Sequence, residues 1–376
     1  MGYRNNVPKK LDDYLHSDEP QLSLHIISFI DATLVTFFFP HTMADGTSLA
    51  ILIKSWSAVM AGHEEKVPLE IGTDTDPMIP IASSSCKDPF IHADKQWKTL
   101  HFLSLMIRVL WSKLWGPKRE ARTFCVPQQY VAAMKQTALR CLSESYQPSS
   151  AAIGEPKKEP YLSDGDIIVA WLTRIACGTL PPSSTRPVTI VNVFDIRDRI
   201  PYAFSTIKID DSKPVYIGNA ILAAYAYLPT KIVLFGPLAQ IAAQARAAVV
   251  QQTSVSQVEA RVQLERETLE STHGKPSYFI PLNSHPVFFT NLCRTQLFEA
   301  ADFSPAVRTS DSASRRKMGS AVGFPAYYHP QRTNVAATPP FDVFAILGKD
   351  REGNYWIRGT LTDVSWGKIR QEIANM

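Results

Sequence analysis

The run Leu34-Val35-Thr36-Phe37-Phe38-Phe39-Pro40-His41-Thr42-Met43-Ala44-Asp45-Gly46 decides how the chain is read. Its first six residues are apolar or β-branched and predict a buried strand. Pro40 has no amide hydrogen to give a sheet ladder, so the strand should end there. That ending leaves His41 on a corner, where a side chain can face a cavity instead of a core. Gly46 permits close approach of backbone or ligand. From Thr47 the period changes: Leu49, Leu52, Ile53, Trp56 and Met60 share one helical face, and Gly62 is a suitable stop.

A histidine on a strand-to-helix corner, with an aspartate four positions on, can take a proton from a hydroxyl near neutral pH. The plain alternative is a core histidine beside a helix-capping aspartate. A bare His-x-x-x-Asp is a weak signal; the hydrophobic strand before it and Gly46 after it sharpen it. The chain has 376 residues, 45% of them hydrophobic and 20% charged, an ordinary globular balance with room for two modest domains or one large one. The net charge of +4 is spread along the chain. Without a basic block, nucleic acid is not an expected partner, while a mild positive balance suits an anionic co-substrate. Cys86, Cys125, Cys141, Cys177 and Cys293 are scattered, with no Cys-x-x-Cys or Cys/His cluster. Neither a metal site nor a disulfide framework is indicated, and a reducing, cytoplasmic location is expected. The N-terminus has no apolar signal core, and no uncharged run reaches membrane-spanning length.

Residues 22–30 and 34–39 read as an antiparallel hairpin turning at Asp31-Ala32-Thr33. Residues 64–94 hold Pro68, Pro77, Pro80, Pro89 and Ser83-Ser84-Ser85 and read as an irregular excursion. Residues 95–114 predict one helix with Phe102, Leu103, Met106 and Leu110 on its apolar side. Trp111 and Trp115 widen that face, as expected of a helix packed between two domains; a membrane-surface helix is the alternative. A strand over 122–126, a helix over 127–141 and a polar loop over 143–160 follow. Ser163 caps a helix running to about Cys177, with Asp166 in the capping-box position. Strands are expected at 188–194 and 287–290, helices at 237–251 and 254–269, and a closing hairpin at 341–347 and 355–361. Thr362 or Asp363 caps a final helix. Helices alternating with strands, several of them in hairpins, indicate an α/β (mixed α+β) chain with mixed sheets. No glycine-rich phosphate loop and no Gly-x-Ser-x-Gly elbow occurs.

The His41-x-x-x-Asp45-Gly46 stretch resembles the His-x-x-x-Asp-Gly motif of the BAHD acyltransferases. They share it with the wider chloramphenicol-acetyltransferase-like fold, which includes peptide-synthetase condensation domains. Further stretches resemble the family in the family's order. They are Leu162-Ser163-Asp164-Gly165-Asp166 through Ala170-Trp171; Asp195-Ile196-Arg197-Asp198-Arg199-Ile200-Pro201 with Tyr216-Ile217-Gly218-Asn219; and Gly353-Asn354-Tyr355-Trp356-Ile357-Arg358-Gly359. Their flavour is that of fungal secondary metabolism. The resemblance implies two chloramphenicol-acetyltransferase-like domains, each a mixed sheet flanked by helices. On that pattern 1–94 is the N-terminal domain with the histidine motif, 95–125 a linker or crossover helix, and 126–376 the C-terminal domain. In the family a longer stretch precedes the histidine than the forty residues found here. The first domain is therefore expected to be incomplete, either pared down or because the chain begins late.

For activity, the resemblance implies an O-acyltransferase. It would move an acyl group, acetyl foremost, from acyl-CoA to a hydroxyl of a small secondary metabolite, with no metal. His41 is the general base. Asp45 points back into the protein and pairs with Arg197 or Arg199, while Gly46 belongs to the structural motif. Backbone amides, Thr290 and Asn291 are the oxyanion donors to consider. The family's second signature, Asp-Phe-Gly-Trp-Gly, has two claimants. Asp363-Val364-Ser365-Trp366-Gly367 matches by letters. Asp302-Phe303-Ser304-Pro305-Ala306 matches by context, because it follows a strand and leaves two strands and a helix still to come; Asp302 is taken as the equivalent. Two other readings stand beside this one. A catalytically silent ligand-binding relative is favoured by the short N-terminus and the decayed second motif. A condensation-type N-acyltransferase is disfavoured by Pro40, where such domains carry a second histidine. The expected partner is a small-molecule alcohol, without nucleic acid or membrane, acting on a cytoplasmic monomer.

Overall fold

The computed structural model describes residues 8, 10–72, 76–84, 86, 88–145, 160–204, 214–272, 274, 277–307, 322–330 and 340–376. Their strands, in chain order, are β1 (Ser23–Ser28), β2 (Thr33–Phe38), β3 (Glu70–Ile71), β4 (Arg119–Val126), β5 (Pro187–Asp195), β6 (Val215–Tyr216), β7 (Ile221–Pro229), β8 (His285–Asn291), β9 (Asp342–Lys349) and β10 (Tyr355–Thr362). Contacts group the chain into two units that are discontinuous in sequence. One is Met1–Asp76 with Phe204–Ala220 and Thr295–Thr338; the other is Pro77–Ala203 with Ile221–Arg294 and Pro339–Met376. The boundaries expected near 94 and 125 follow chain order, whereas this grouping follows pairing in space. β4, for example, pairs along its whole length with β10.

In the first unit β1 and β2 form an antiparallel hairpin, in register from Ser23↔Phe38 to Ser28↔Thr33. The hairpin is where the sequence predicts it, but the strand is not the buried one expected. It stops at Phe38, its only buried residue, and Leu34 is exposed. A two-stranded ribbon has no neighbouring strands and leaves much of each residue in solvent. After the His41 turn, a helix spans Gly46–Met60 and buries Ser48, Ala50, Ile53 and Ser57. Ala50 and Ile53 join Leu297 and Ala301 in a small core, with Phe37, Leu49 and Phe303 packed against it. Trp56 stands edge-on between Phe37 (ring centroids 5.6 Å apart) and Phe303 (5.2 Å). Two-residue strands β3 and β6 pair in parallel.

The second unit is built on one six-stranded sheet, ordered β4-β10-β9-β8-β5-β7. β8 runs parallel to β5 and β9, and the other pairs are antiparallel, so the sheet is mixed as expected. The helix Asp164–Cys177 is buried along most of its length, from Asp166 to Cys177 with only Arg174 left out. A helix apolar all round belongs inside a layered core. Its Ile168, Trp171 and Leu172 share that core with Val188, Phe289, Phe344 and Ile357. It begins with the predicted box: the Ser163 amide donates to Asp166 Oδ2 at 2.8 Å, and the Asp166 amide to Ser163 Oγ at 3.2 Å.

One expectation needs correction here, and one pair of alternatives is decided. The helix read over 95–114 starts at Thr99, after a short 3₁₀ turn at Ala93–Lys95, and Leu103, Leu110 and Trp111 on it, with Trp115 at its C-cap, are not buried. They are between 53% and 68% exposed. The last helix, Asp363–Ala374, is capped by Thr362, whose hydroxyl accepts the Ser365 amide at 3.4 Å. Asp363 follows the cap and turns outward toward Arg122 (3.7 Å) and Arg370 (4.0 Å), not onto the first-turn amides.

Candidate functional site

His41 lies in a tight turn closed by the Met43 amide donating to Pro40 O at 2.9 Å. Phe38 ends the ladder, Pro40 prevents its continuation, and residues 39–45 reverse the chain before the helix begins at Gly46. The His41 side chain is exposed. Asn219 fixes the backbone beneath it: Nδ2 donates to His41 O at 2.8 Å and to Thr42 O at 3.1 Å.

Asp45 is buried, 2% exposed, in extended conformation at the N-cap of the helix. Its Oδ1 accepts the Ser48 amide at 3.0 Å, and its Oδ2 accepts the Ala220 amide at 2.9 Å. The Ser48 hydroxyl lies 3.0 Å from both Asp45 Oδ1 and Gly218 O. So Asp45 caps the helix and does more than cap it. One carboxylate satisfies an orphan helix amide and also holds the 218–220 segment that carries Asn219. Gly46 is the first helical residue.

At the far end of the same helix, Asp302 and Phe303 close the unit. The Asp302 amide donates to Ser57 Oγ at 3.1 Å, and Asp302 Oδ1 accepts the Ser304 amide at 2.9 Å. The Phe303 amide donates to Gly323 O at 2.8 Å. Gly323 has φ +90°, and a Cβ there would fall 2.3 Å from the Ser304 nitrogen, so glycine is required for this approach. Asp363 is 82% exposed by side chain at the start of the final helix.

The remaining sequence-predicted residues belong to the second unit. Arg197, on the turn after β5, donates from Nη1 to Asp195 Oδ2 at 2.9 Å, and the Arg197 amide donates to Asp195 Oδ1 at 2.8 Å. Arg199 is exposed and borders a shallow recess with Arg246 and Ser254. Thr290 and Asn291 end β8. Asn291 Oδ1 accepts the Cys293 amide at 3.0 Å, while its Nδ2 faces Gly165 at the start of the buried helix. An apolar recess of about 420 Å³, lined by Tyr130, Met134, Cys141 and Leu238 among others, carries none of the predicted site residues. Among the described residues no three His, Cys, Asp or Glu side chains gather as a metal site would require.

Sequence reasoning missed the tasks of Ser48, Asn219 and Ala220. Gly218-Asn219 stood out by resemblance, but 178 residues separate Asn219 from His41, and no local pattern signals such a contact.

No family model matches the chain. O-acetyltransferase PaAT-2 of Phomopsis amygdali is 31% identical to it over 379 residues, a match covering 99% of this chain and 74% of the relative. The chain belongs to the BAHD-type acyltransferase family. Acetyltransferase adrJ of Penicillium rubens is 27% identical, over 99% of this chain and 72% of its own length. Among solved structures, F. sporotrichioides TRI101 complexed with coenzyme A and T-2 superposes with a TM-score of 0.61 at 13% identity, covering 93% of this chain and 68% of that one. The fold is the two-domain chloramphenicol-acetyltransferase-like one expected from the motifs. The protein is an acyltransferase.

Proposed function

We propose that this BAHD-type enzyme transfers an acyl group, acetyl in first place, from acyl-CoA to a hydroxyl of a small secondary metabolite, with His41 as general base. The observation that carries the reading is the His41 turn itself. An exposed imidazole stands on a turn whose backbone is pinned by Asn219 and whose exit is capped by buried Asp45. Fixing the base costs nothing at the moment of reaction, which is what positioning contributes. A relative carries the name O-acetyltransferase, and a fold neighbour was solved with coenzyme A and T-2.

The chemistry follows from the groups. His41 takes the proton of the acceptor hydroxyl as its oxygen attacks the thioester carbonyl. The tetrahedral oxyanion collapses, the carbon–sulfur bond breaks, and the thiolate takes the proton back from His41. The products are an ester and free coenzyme A. No acyl-enzyme forms and no metal takes part. Thr290, Asn291 and backbone amides are the groups proposed to receive the oxyanion.

The test is turnover of acetyl-CoA by the purified protein against a panel of alcohols, followed as thiol release and ester formation. Parent protein should make ester. His41→Ala should keep its circular dichroism and lose about 10²–10⁴-fold in kcat. A folded His41→Ala variant with undiminished turnover would remove His41 from the mechanism, and thiol release without ester would remove the acceptor reading.

A further inference from the structure

The helix Thr99–Leu114 carries a broad apolar stripe that no described residue covers. Leu100, Leu103, Ile107, Leu110, Trp111 and Leu114 recur at helical spacing on one face, each between 53% and 71% exposed. The helix is not loose. Arg108, on another face, donates to the backbone carbonyls of Leu282 and Ser284. Just ahead of the helix the Trp97 amide donates to Tyr278 O at 2.8 Å and its indole to Ile280 O at 2.7 Å. The stripe is therefore held facing outward.

Charge says what it faces. From Lys95 to Lys118 the sequence has five basic residues, Lys95, Lys98, Arg108, Lys113 and Lys118, and no Asp or Glu. Lys98 and Lys118 are exposed on either side of the helix. Near its end Trp111 and Trp115 lie with ring centroids 4.9 Å apart, both exposed. Lys95 is paired with Asp94 at 3.0 Å, which leaves Lys98 and Lys118 as the exposed charges at the two ends. Apolar stripe, terminal tryptophans and exposed lysines at both ends are the features of a helix lying in a lipid headgroup layer. Sixteen residues span about 24 Å, less than the roughly 30 Å of a bilayer core. No described helix is long and apolar enough to cross a membrane. A second copy is a poor occupant, because pairing this face with itself brings basic flanks together with no acid along the helix to offset them.

We propose that the Thr99–Leu114 helix docks the protein on an anionic lipid surface. The stripe enters the headgroup–acyl boundary, and Lys98 and Lys118 meet anionic headgroups. The sequence reading expected no membrane partner; the outward stripe argues for one. The surface is independent of the acceptor chemistry, so its test does not read acyl transfer.

Flotation of the full chain with phosphatidylcholine vesicles, with and without phosphatidylserine, is the experiment. Parent protein should float with the phosphatidylserine vesicles, and its tryptophan emission should be quenched by brominated acyl chains. Ile107→Glu combined with Trp111→Glu should lower the bound fraction at least tenfold with circular dichroism unchanged. Lys98→Glu combined with Lys118→Glu should weaken binding and flatten its salt dependence. Quenching is read on the parent protein, so the proposal does not depend on any variant folding. Parent protein that fails to float, or that floats equally well without phosphatidylserine, overturns it. So does a dimer by light scattering that ignores vesicles and is broken by Ile107→Glu with Trp111→Glu.

Discussion

Asp45 and Asn219 hold one turn by different means, and their variants should separate. Asp45 accepts from two amides and has the Ser48 hydroxyl within reach while 2% exposed. Asp45→Ala removes a helix cap worth roughly 0.5–2 kcal/mol. It also leaves the buried Ala220 amide unpaired, at a further cost of about 1–3 kcal/mol. Its urea midpoint should fall well below the parent's. Asn219 gives two hydrogen bonds from one half-buried side chain to carbonyls of an exposed turn, so Asn219→Ala should cost only about 1 kcal/mol. Its loss frees the backbone under His41, so kcat should fall about tenfold or more while KM for acyl-CoA stays near the parent value. An Asn219→Ala variant with parental kcat would show that the turn holds itself. An Asp45→Ala variant that melts like the parent yet is inactive would assign Asp45 to the chemistry. The His41 turn and the Asp45 cap were legible because strand, proline, aspartate and helix follow one another locally. Asn219 was not, because its partners come from the other end of a long chain excursion.

At the scale of elements, local signals held where a residue acts on its neighbours. The Ser163–Asp166 box and the Gly46–Met60 helix stand as read. Burial was less legible. The same apolar pattern serves a strand in a deep sheet and one in a two-stranded ribbon, and nothing in 34–39 tells which layer covers it. The face of Thr99–Leu114 failed for the same reason. The two claimants for the second signature sit in different surroundings. Asp302 and Phe303 brace the helix that follows His41, through Ser57 and Trp56, whereas Asp363 follows the Thr362 cap and faces out. The bracing depends on Gly323, whose φ of +90° and closeness to the Ser304 backbone leave no room for a side chain. Gly323→Ala should therefore destabilise by about 2 kcal/mol or more, because backbone must shift on one side. Ser304→Ala, which keeps that backbone, should be nearly neutral. Equal thermal midpoints for Gly323→Ala and the parent would show that the approach is not fixed.

Over the whole molecule, alternation of strands and helices was enough to expect mixed sheets, but not the order β4-β10-β9-β8-β5-β7, nor units assembled from separated segments. Both depend on pairing between residues far apart in sequence, which periodicity does not encode. One carboxylate samples that assembly. Asp164 starts the buried helix and is reached by Lys135 from a second helix at 2.9 Å, by the Tyr355 hydroxyl from β10 at 2.5 Å, and by Lys349 from β9 at 3.5 Å. Burial raises the Asp164 pKa, but the hydrogen bonds from Tyr355 and Lys135, with the charges of Lys135 and Lys349, outweigh it and hold the carboxyl below its ordinary value. The same contact, added to burial, pushes the Tyr355 phenol up. A carboxyl depressed on folding adds stability above its unfolded pKa, and that stability is lost as pH falls through the folded value. Asp164→Asn removes this contribution at every pH. The gap in urea midpoint between parent and Asp164→Asn should thus be the same at about pH 7 and about pH 5, and should narrow below about pH 4, where the parent carboxyl begins to protonate. The parent should lose stability there while the variant changes less. A gap that stays constant down to about pH 2 would mean that Asp164 contributes by shape and hydrogen bonding alone, and that the four elements are joined without its charge.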